Sequence, residues 1–310
     1  MAGRFASISA MTSSLPSALS TSVWGSGPGL LLAHGAGSDV RDSFGPVIES
    51  LAQSRTVVGA DFPGSGSTPL ADGPLSLDEL ADGIVESAVQ SGLDTFAISG
   101  FSMGTTVAVR AAVRHPERVT ALVLSAGFAR PSPRLLLAVE TWRALGRRDP
   151  RGRELAAYLS LMVGGPEWLE ARSGAEIEEQ LGLFAAGMPA GADAQLALFD
   201  HLDVRADLAR VEVPALVVSA TRDLLTTPVH SRELAEGIPG ARLAVLDCGH
   251  AIAAERPTEW AALIREFLDG VDGLGVGDVG VGAAGPVGGV GRLGGVGRLG
   301  GVGRLGGVTG

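Results

Sequence analysis

Six short, nearly continuous apolar runs recur along this 310-residue chain. They are GLLLAH (29–34), RTVVGAD (55–61), DTFAISG (94–100), VTALVLSAG (119–127), PALVVSA (214–220) and ARLAVLD (241–247). Runs of this length without a polar residue at every second position are typical of strands that are buried on both faces of a parallel sheet. The sequence therefore predicts a strand at each of these six places.

The segments between these runs have the spacing of amphipathic helices. Residues 76–92 carry apolar side chains at helical intervals and end at Gly92, and Pro116 ends a second such segment that begins at Gly104. A third segment has Pro257 in its first turn and stops near Gly270, positions that suit proline and glycine at helix ends. Strands that alternate with helices predict the α/β class with a mostly parallel sheet.

The alternation stops between Gly127 and Asp203. The segments PRLLLAVETWRAL, RGRELAAYLSLMV and DAQLALFDHL in this interval indicate helices, and the strand pattern resumes directly afterwards. A separate small helical domain is the alternative, but the immediate return of strands favours an insertion. We therefore predict a helical cap over about residues 130–203, inserted before the strand at 214–220.

Both ends of the chain differ in composition from the middle. Residues 1–22 are small and polar and are expected to be loosely ordered. Residues 271–310 are rich in glycine and contain the hexapeptide GVGRLG at 289–294, 295–300 and 301–306. A six-residue repeat can build a β-helix, but three copies with few side chains to bury favour disorder. The sequence thus predicts one α/β domain at 23–270, followed by a tail without a catalytic role.

Charge and composition exclude several classes of protein. The net charge of −10 and the pI of about 5.0 argue against general nucleic-acid binding, which needs a basic surface. The chain has no apolar run of about 18 residues that would predict a membrane span, and no apolar signal-peptide core follows Arg4. Its single cysteine, Cys248, cannot form an internal disulfide. We expect a cytoplasmic protein without a metal or organic cofactor; nothing in the sequence indicates its oligomeric state.

The motif GFSMG (100–104) has the pattern G-x-S-x-G, with an apolar strand before it and a helix after it. In that context the pattern predicts a nucleophile elbow, a strained turn that raises the hydroxyl of Ser102 above the carboxyl edge of the sheet. The flanking glycines are expected because a side chain would clash where strand and helix nearly touch. The helix N-terminus behind Ser102 would favour a developing oxyanion.

A nucleophilic serine needs a histidine to accept its proton and a carboxylate to orient that histidine. In sites of this kind the acid and then the histidine follow the serine along the chain. Asp223 and His250 lie just past two successive predicted strands, so both belong to the sheet edge that carries Ser102. Asp247 is a rival acid, but it lies at the strand end, only three residues before His250.

The turn HGAG (34–37) follows the first predicted strand and can direct a backbone N–H toward Ser102. We assign the two oxyanion donors to the N–H groups of Ala36 and Met103. His34 is expected to hold this turn by hydrogen bonds and not to act as a base. His115, His201 and His230 are expected in or beside helices, and Cys248 as a small buried apolar residue.

The motifs HGAG, DFPGSG (61–66), GFSMG, HPERVTALVL (115–124), TRDLLTTP (221–228) and CGHAIAAERP (248–257) together resemble the α/β-hydrolase superfamily. They extend from about Trp24 to Leu268, and the lid-bearing esterases, enol-lactonases and C–C-bond hydrolases look most similar. The resemblance implies a sheet of about eight strands, with the helical insertion as a cap over the serine. The chain departs from the family pattern because no clear pair of leading strands precedes Trp24.

These features together predict a serine hydrolase that cleaves a carboxylic ester, thioester or lactone through an acyl-enzyme. The same three residues could instead serve acyl transfer, cyclisation, lyase chemistry or C–C bond hydrolysis, because the superfamily uses one site for many reactions. Dehalogenases and epoxide hydrolases of this fold have aspartate where Ser102 stands. A binding protein on this scaffold would be expected to lack one of the three residues.

The cap suggests an apolar small-molecule acyl substrate. It contains several large side chains, some of which should face the serine while others pack on the sheet; these are Trp142, Tyr158, Met162, Trp168, Phe184, Met188 and Phe199. Its arginines, including Arg143, Arg147 and Arg148, are expected to be mostly solvated. One of them could meet a carboxylate or phosphate on the substrate.

Overall fold

The computed structural model describes residues 15–16 and 18–273, which contain one seven-stranded sheet with helices on both faces. The strands are β1 (Thr21–Trp24), β2 (Gly29–Ala33), β3 (Thr56–Ala60), β4 (Phe96–Phe101), β5 (Val119–Ser125), β6 (Ala215–Ala220) and β7 (Arg242–Leu246). All six strands predicted from the apolar runs are present. The mostly parallel α/β architecture is confirmed.

The helices occupy the intervals between strands. They are α1 (Val40–Ala52), α2 (Leu77–Gln90), α3 (Gly104–Arg114), α4 (Pro133–Arg148), α5 (Arg153–Val163), α6 (Pro166–Glu170), α7 (Gly174–Gly187), α8 (Ala192–Ala197), α9 (Arg205–Leu208), α10 (Pro228–Gly237), α11 (Ile252–Glu255) and α12 (Pro257–Gly273). A short 3₁₀ helix covers Leu198–Asp200. None of the helices in the described ranges combines the length and the apolarity that crossing a bilayer would require.

The order of the strands determines where a site can form. Across the sheet the order is β1-β3-β2-β4-β5-β6-β7, and only β1 is antiparallel to its neighbour. The chain moves from β2 to β3 on one side and then returns to place β4 on the other side of β2. Open α/β sheets bind ligands at the carboxyl ends of strands where the order reverses in this way. The ends of β2 and β4 are therefore the expected place for a site.

Both faces of the sheet are buried at its central strands β2 to β6, which explains why those strands are almost wholly apolar. The expectation of burial on both faces was wrong for β7, an edge strand in which three of the five residues are exposed. Leu30 and Leu32 belong to the core shared with α1 and α12, whereas Leu31 and Ala33 belong to the core shared with α2 and α3. All four side chains have no measurable exposure. Because successive side chains of a strand point to opposite faces, these residues fill two separate cores and hold the strand ends rigidly.

The edge of the sheet differs from the expectation in two respects. The described residues form seven strands and not the eight that the family resemblance implied. Strand β1 begins at Thr21, so the ordered domain starts before residue 23, and Leu19 is already buried in the core. The sequence did not indicate β1 because three of its four residues are exposed and form no apolar run.

The helical insertion lies between β5 and β6. Helices α4 to α8 follow β5, and the chain returns to the sheet through α9. At the other end, α12 continues to Gly273, three residues beyond the expected stop. The predicted GVGRLG tail lies outside the described residues, as does most of the segment 1–22. We call the residues of α4 to α8 and the following 3₁₀ helix the cap.

Candidate active site

Ser102 lies in the sharp turn between β4 and α3. Its φ angle is +53°, in the left-handed region that side chains other than glycine rarely adopt. Such a conformation costs about 1–3 kcal/mol and persists only where the surroundings enforce it. Here the Ser102 N–H donates to the Ser125 carbonyl at 3.0 Å, and the Ser102 carbonyl accepts from the Thr105 N–H at 3.0 Å. The strained serine turn that the sequence predicts is therefore present.

The two glycines of GFSMG are required by close backbone approach. A Cβ on Gly100 would lie 2.6 Å from the Gly104 carbonyl oxygen, and one on Gly104 would lie 2.0 Å from the Ala33 carbonyl oxygen. Real Cβ atoms do not approach backbone atoms so closely, so neither position accepts a side chain. The start of α3 thus packs directly on the ends of β4 and β2. This close contact fixes the turn that carries Ser102.

Asp223 and His250 form a buried pair beyond the ends of β6 and β7. The Nδ1 atom of His250 lies 2.7 Å from Oδ2 of Asp223, and both residues are at most 5% exposed. The other carboxylate oxygen accepts from the N–H groups of Leu225 at 2.7 Å and Thr226 at 2.8 Å. An ionised carboxylate needs several donors when it is buried. With Nδ1 held by Asp223, Nε2 is the nitrogen that remains for another partner.

A cluster of aromatic side chains packs against the His250 ring. The Phe101 ring lies 5.0 Å from the His250 ring, and Trp260 lies 5.9 Å from Phe101. Phe44 stacks on Trp260 at 5.3 Å, and the Trp260 indole donates to the Ser125 hydroxyl at 2.9 Å. These contacts link α1, β4, β5 and α12. The cluster thus packs against the His250 ring and restricts its orientation.

The HGAG turn is held by His34, which is fully buried. Its Nδ1 donates to the Gly35 carbonyl at 2.7 Å, and its Nε2 accepts from the Phe62 N–H at 2.8 Å. This pattern requires the neutral imidazole with its proton on Nδ1. Burial lowers the pKa of His34 to about 4, which agrees with a neutral ring. His34 therefore holds the HGAG turn by hydrogen bonds, as the sequence suggested, and it also connects this turn to the DFPGSG loop.

Two N–H groups of the HGAG turn are already engaged. Gly35 donates to the Ser43 hydroxyl at 3.2 Å, and Gly37 donates to Oε1 of Gln195 at 2.9 Å. Ala36 lies between them and lines the cavity above Ser102. Met103 precedes the first residue of α3, so its N–H belongs to the unpaired end of that helix. Ala36 and Met103 thus remain the candidate donors at this place.

Ser102, Ala36 and His250 share one cavity of about 410 Å³. Its cap side is mainly apolar and consists of Leu135, Val139, Trp142, Leu159, Val163, Trp168, Leu183, Phe184, Gly187, Met188, Leu196 and Phe199, with Gln180 as its polar member. Ser102 is only 7% exposed, so its contact with solvent is through this cavity. Asp39 and Asp42 border the same space at the start of α1.

The cap side chains divide into two groups. Five of the seven large side chains considered in the sequence line the cavity, whereas Tyr158 and Met162 do not. The Tyr158 hydroxyl donates to the Ala138 carbonyl at 2.9 Å, so this ring packs α5 on α4. Arg143 pairs with Asp193, and no arginine lines the cavity within the described residues. The suggestion that a cap arginine meets an anionic substrate is therefore not supported.

The rival acids and histidines lie in other environments. Asp247 is exposed, and its carboxylate accepts from Thr221 at 2.6 Å and from Arg222 at 2.9 Å. These two donors lower the pKa of Asp247. His115 contacts Asp82 at the end of α3. Cys248 is 2% exposed, and burial raises the pKa of its thiol to about 12.

A comparison with known proteins gives the family. Residues 28–257 match the model of a protein family whose description is the α/β-hydrolase fold. The chain belongs to the α/β-hydrolase family. It is an enzyme of the α/β-hydrolase type, and all three residues Ser102, Asp223 and His250 lie within the matched range.

Similar proteins are known in several bacteria. This hydrolase is 30% identical to a pyrrolizixenacetamide deacetylase of Xenorhabdus hominickii over 79% of its own length and 92% of the relative. It is also 30% identical to a pimeloyl-[acyl-carrier protein] methyl ester esterase of Neisseria meningitidis, over 77% and 93% of the two chains. A thermophilic esterase from Thermogutta terrifontis has a similar structure, with a TM-score of 0.72, 26% identity and coverage of 82% and 93%.

Proposed function

We propose that this α/β hydrolase cleaves carboxylic esters, thioesters or lactones, with Ser102 as nucleophile, His250 as general base and Asp223 as its acid partner. The observation that carries the proposal is the buried Asp223–His250 pair, joined at 2.7 Å, in one cavity with a serine that has a φ of +53°. A strained turn of this kind is difficult to explain by folding alone. The relatives named as an esterase and a deacetylase act on acyl compounds, which supports the same class of reaction.

In the proposed reaction, Nε2 of His250 accepts the proton of the Ser102 hydroxyl while Oγ attacks the substrate carbonyl carbon. Asp223 stabilises the resulting imidazolium through Nδ1. The tetrahedral intermediate collapses to an acyl-enzyme, and His250 returns its proton to the leaving alcohol or thiol. A water molecule, activated by His250, then attacks the acyl-enzyme and releases the acid.

The N–H groups of Ala36 and Met103 would stabilise the oxyanion in both tetrahedral intermediates. Two observations support this role. Side chains accept from the neighbouring Gly35 and Gly37 N–H groups, and Met103 lies directly before the first residue of α3. Donors of this kind act in a site that excludes water, where each is worth about 10²–10³ in kcat.

The cavity favours a neutral, partly apolar acyl group. Its cap side consists mainly of Leu, Val, Trp, Phe and Met, and carboxylates border it at Asp39 and Asp42. Arg143 and Arg147 of the cap pair with Asp193, and Arg148 pairs with Glu154. An acyl chain that ends in a carboxylate would therefore meet like charge and no cation. We propose that p-nitrophenyl butyrate or hexanoate is cleaved well and the p-nitrophenyl ester of a dicarboxylic half-acid poorly.

The test is active-site labelling with a fluorophosphonate probe, together with turnover of neutral p-nitrophenyl esters and acyl thioesters. Wild type should be labelled stoichiometrically and should hydrolyse at least one ester, whereas Ser102→Ala should do neither. The matched control is Ser99→Ala, because Ser99 is fully buried on β4, the strand that precedes Ser102, and its hydroxyl has no partner in the described structure. Labelling without hydrolysis would instead favour acyl transfer, and absence of labelling would contradict an activated serine.

A further inference from the structure

The one glutamine that is fully buried in the described structure lies in the cap, more than 90 positions along the chain from Ser102. Gln195, on α8, has no measurable exposure and makes three hydrogen bonds. Its Oε1 accepts from the Gly37 N–H at 2.9 Å. Its Nε2 donates to the Pro63 carbonyl at 3.1 Å and to the Ser65 hydroxyl at 2.9 Å. One side chain thus contacts both the HGAG turn and the DFPGSG loop.

These hydrogen bonds close into a ring. The Ser65 hydroxyl, which accepts from Gln195, donates to the Ser38 carbonyl at 2.6 Å. The ring therefore runs from the Gly37 N–H through the Gln195 amide and the Ser65 hydroxyl to the Ser38 carbonyl. Ser38 is the residue that follows the HGAG turn, so the ring closes through the chain. Each donor has an acceptor, and the orientation of the amide is determined because Gly37 needs an acceptor and Pro63 needs a donor.

Packing from the cap also acts on this turn. Gly37 has a φ of +66°, and a Cβ there would lie 2.4 Å from the Trp142 ring of α4. The cap therefore contacts this turn at two places, by packing from Trp142 and by hydrogen bonding from Gln195. Glycine is the most mobile residue in the unfolded and partly folded chain, so a peptide at Gly37 without these contacts would sample other orientations.

We propose that Gln195 is a positioning residue for the oxyanion-binding turn, so that the cap helps to build the catalytic site as well as covering it. The inference rests on the proposed function, because it acts through the N–H of Ala36, the residue before Gly37. The ring holds the Ala36–Gly37 peptide by its N–H and the Ser38–Asp39 peptide by its carbonyl. It thereby restrains the adjoining Gly35–Ala36 peptide, which carries the Ala36 donor and whose carbonyl accepts from His34. A displacement of a catalytic group by about 1 Å can reduce a rate by about 10²-fold.

The decisive variant is Gln195→Met, which keeps the length of the side chain but removes all three hydrogen bonds. We expect kcat for p-nitrophenyl butyrate to fall by about 10- to 100-fold, whereas KM changes little because the apolar lining remains. The inhibition constant of an alkyl boronic acid, which forms a tetrahedral adduct on Ser102, should rise by a similar factor. Weaker binding of the tetrahedral adduct together with an unchanged KM identifies a defect in oxyanion binding.

The matched control is Ser160→Ala, which removes another buried polar group of the cap, on α5, that does not line the cavity. It should lower the melting temperature without lowering kcat. If Ser160→Ala reduces kcat as much as Gln195→Met, the effect is general cap destabilisation and the proposal is wrong. It is also wrong if folded Gln195→Met keeps the wild-type kcat and boronate affinity.

Ser65→Ala provides the test if Gln195→Met does not fold. It opens the ring at one link and leaves the cap sequence unchanged, so kcat should fall by about fivefold with KM retained; an unchanged kcat would overturn the inference. Failure of the proposed function is recognisable separately, because wild type itself would then not react with the fluorophosphonate probe.

Discussion

Oδ2 of Asp223 lies 2.7 Å from Nδ1 of His250, although the two residues are 27 positions apart and follow different strands. The parallel register of β6 and β7, which pairs Ala220 with Leu246, brings the two loops to the same edge of the sheet. The carboxylate also accepts two backbone N–H groups in its own loop. Asp223 is thus fixed before it orients the histidine.

The first prediction follows from this geometry. Asp223→Asn should lower kcat by about 10⁴-fold, because an amide in place of the carboxylate favours the wrong imidazole tautomer. Asp247→Asn should leave kcat within about threefold, since that exposed carboxylate bonds only Thr221 and Arg222. The measurement is steady-state hydrolysis of p-nitrophenyl butyrate. The reverse ranking of the two variants would transfer the role of the acid to Asp247.

A second prediction concerns the glycine at the start of α3. Gly104→Ala should destabilise the fold by about 3 kcal/mol or more, because its Cβ would overlap the Ala33 carbonyl at 2.0 Å. Gly182→Ala is the matched change in α7, where a Cβ meets nothing within 4 Å, and it should stabilise the fold by about 0.5–1 kcal/mol. Urea unfolding of both variants gives the comparison. If the two variants changed the free energy of unfolding equally, the close contact between α3 and β2 would be contradicted.

A third prediction concerns pH. The pKa of His34 is lowered from 6.5 to about 4 by burial, so the unfolded chain binds this proton more readily than the folded one between these values. The stability that the fold gains from a neutral His34 is therefore fully present above pH 6.5. It is lost progressively as the pH falls from 6.5 toward 4. Linkage gives a loss of about 2 kcal/mol between pH 7 and pH 5 from this residue.

The measurement is the free energy of unfolding at pH 7 and pH 5. Between these two pH values His34→Gln should lose about 2 kcal/mol less of its unfolding free energy than wild type does, whatever its stability at pH 7. His201→Gln, at an exposed position, should keep the wild-type dependence. The assignment would be contradicted if His34→Gln and wild type lost stability in parallel.

A fourth prediction concerns the single cysteine. Cys248 lies two residues before His250, but its thiol is 2% exposed and has a pKa raised to about 12 by burial, with Glu255 adding to the shift. Only the thiolate reacts with alkylating reagents. Native enzyme should therefore resist iodoacetamide at pH 8 and keep its activity, whereas the urea-unfolded chain should be modified. Rapid inactivation that Cys248→Ala prevents would contradict this prediction.

Much of the fold is readable from the sequence because its information is local. The apolar runs predict β2 to β7, and for β2 to β6 the reason is that strands buried on both faces need apolar side chains throughout. Strand β7 shares the apolar pattern, although three of its five residues are exposed at the sheet edge. Gly100 and Gly104 predict the serine turn because only glycine fits where strand and helix touch. The order of Ser102, Asp223 and His250, each directly after a strand, is enough to propose one site at one edge.

Other features depend on contacts that no local pattern encodes. Strand β1 has exposed residues and exists only because it pairs with β3. Tyr158 and Trp142 look alike in the sequence, yet one packs between cap helices and the other lines the cavity. Gln195 reaches Gly37 across 158 positions of the chain. In each case the partner is distant along the chain, so the tertiary structure alone brings the two groups together.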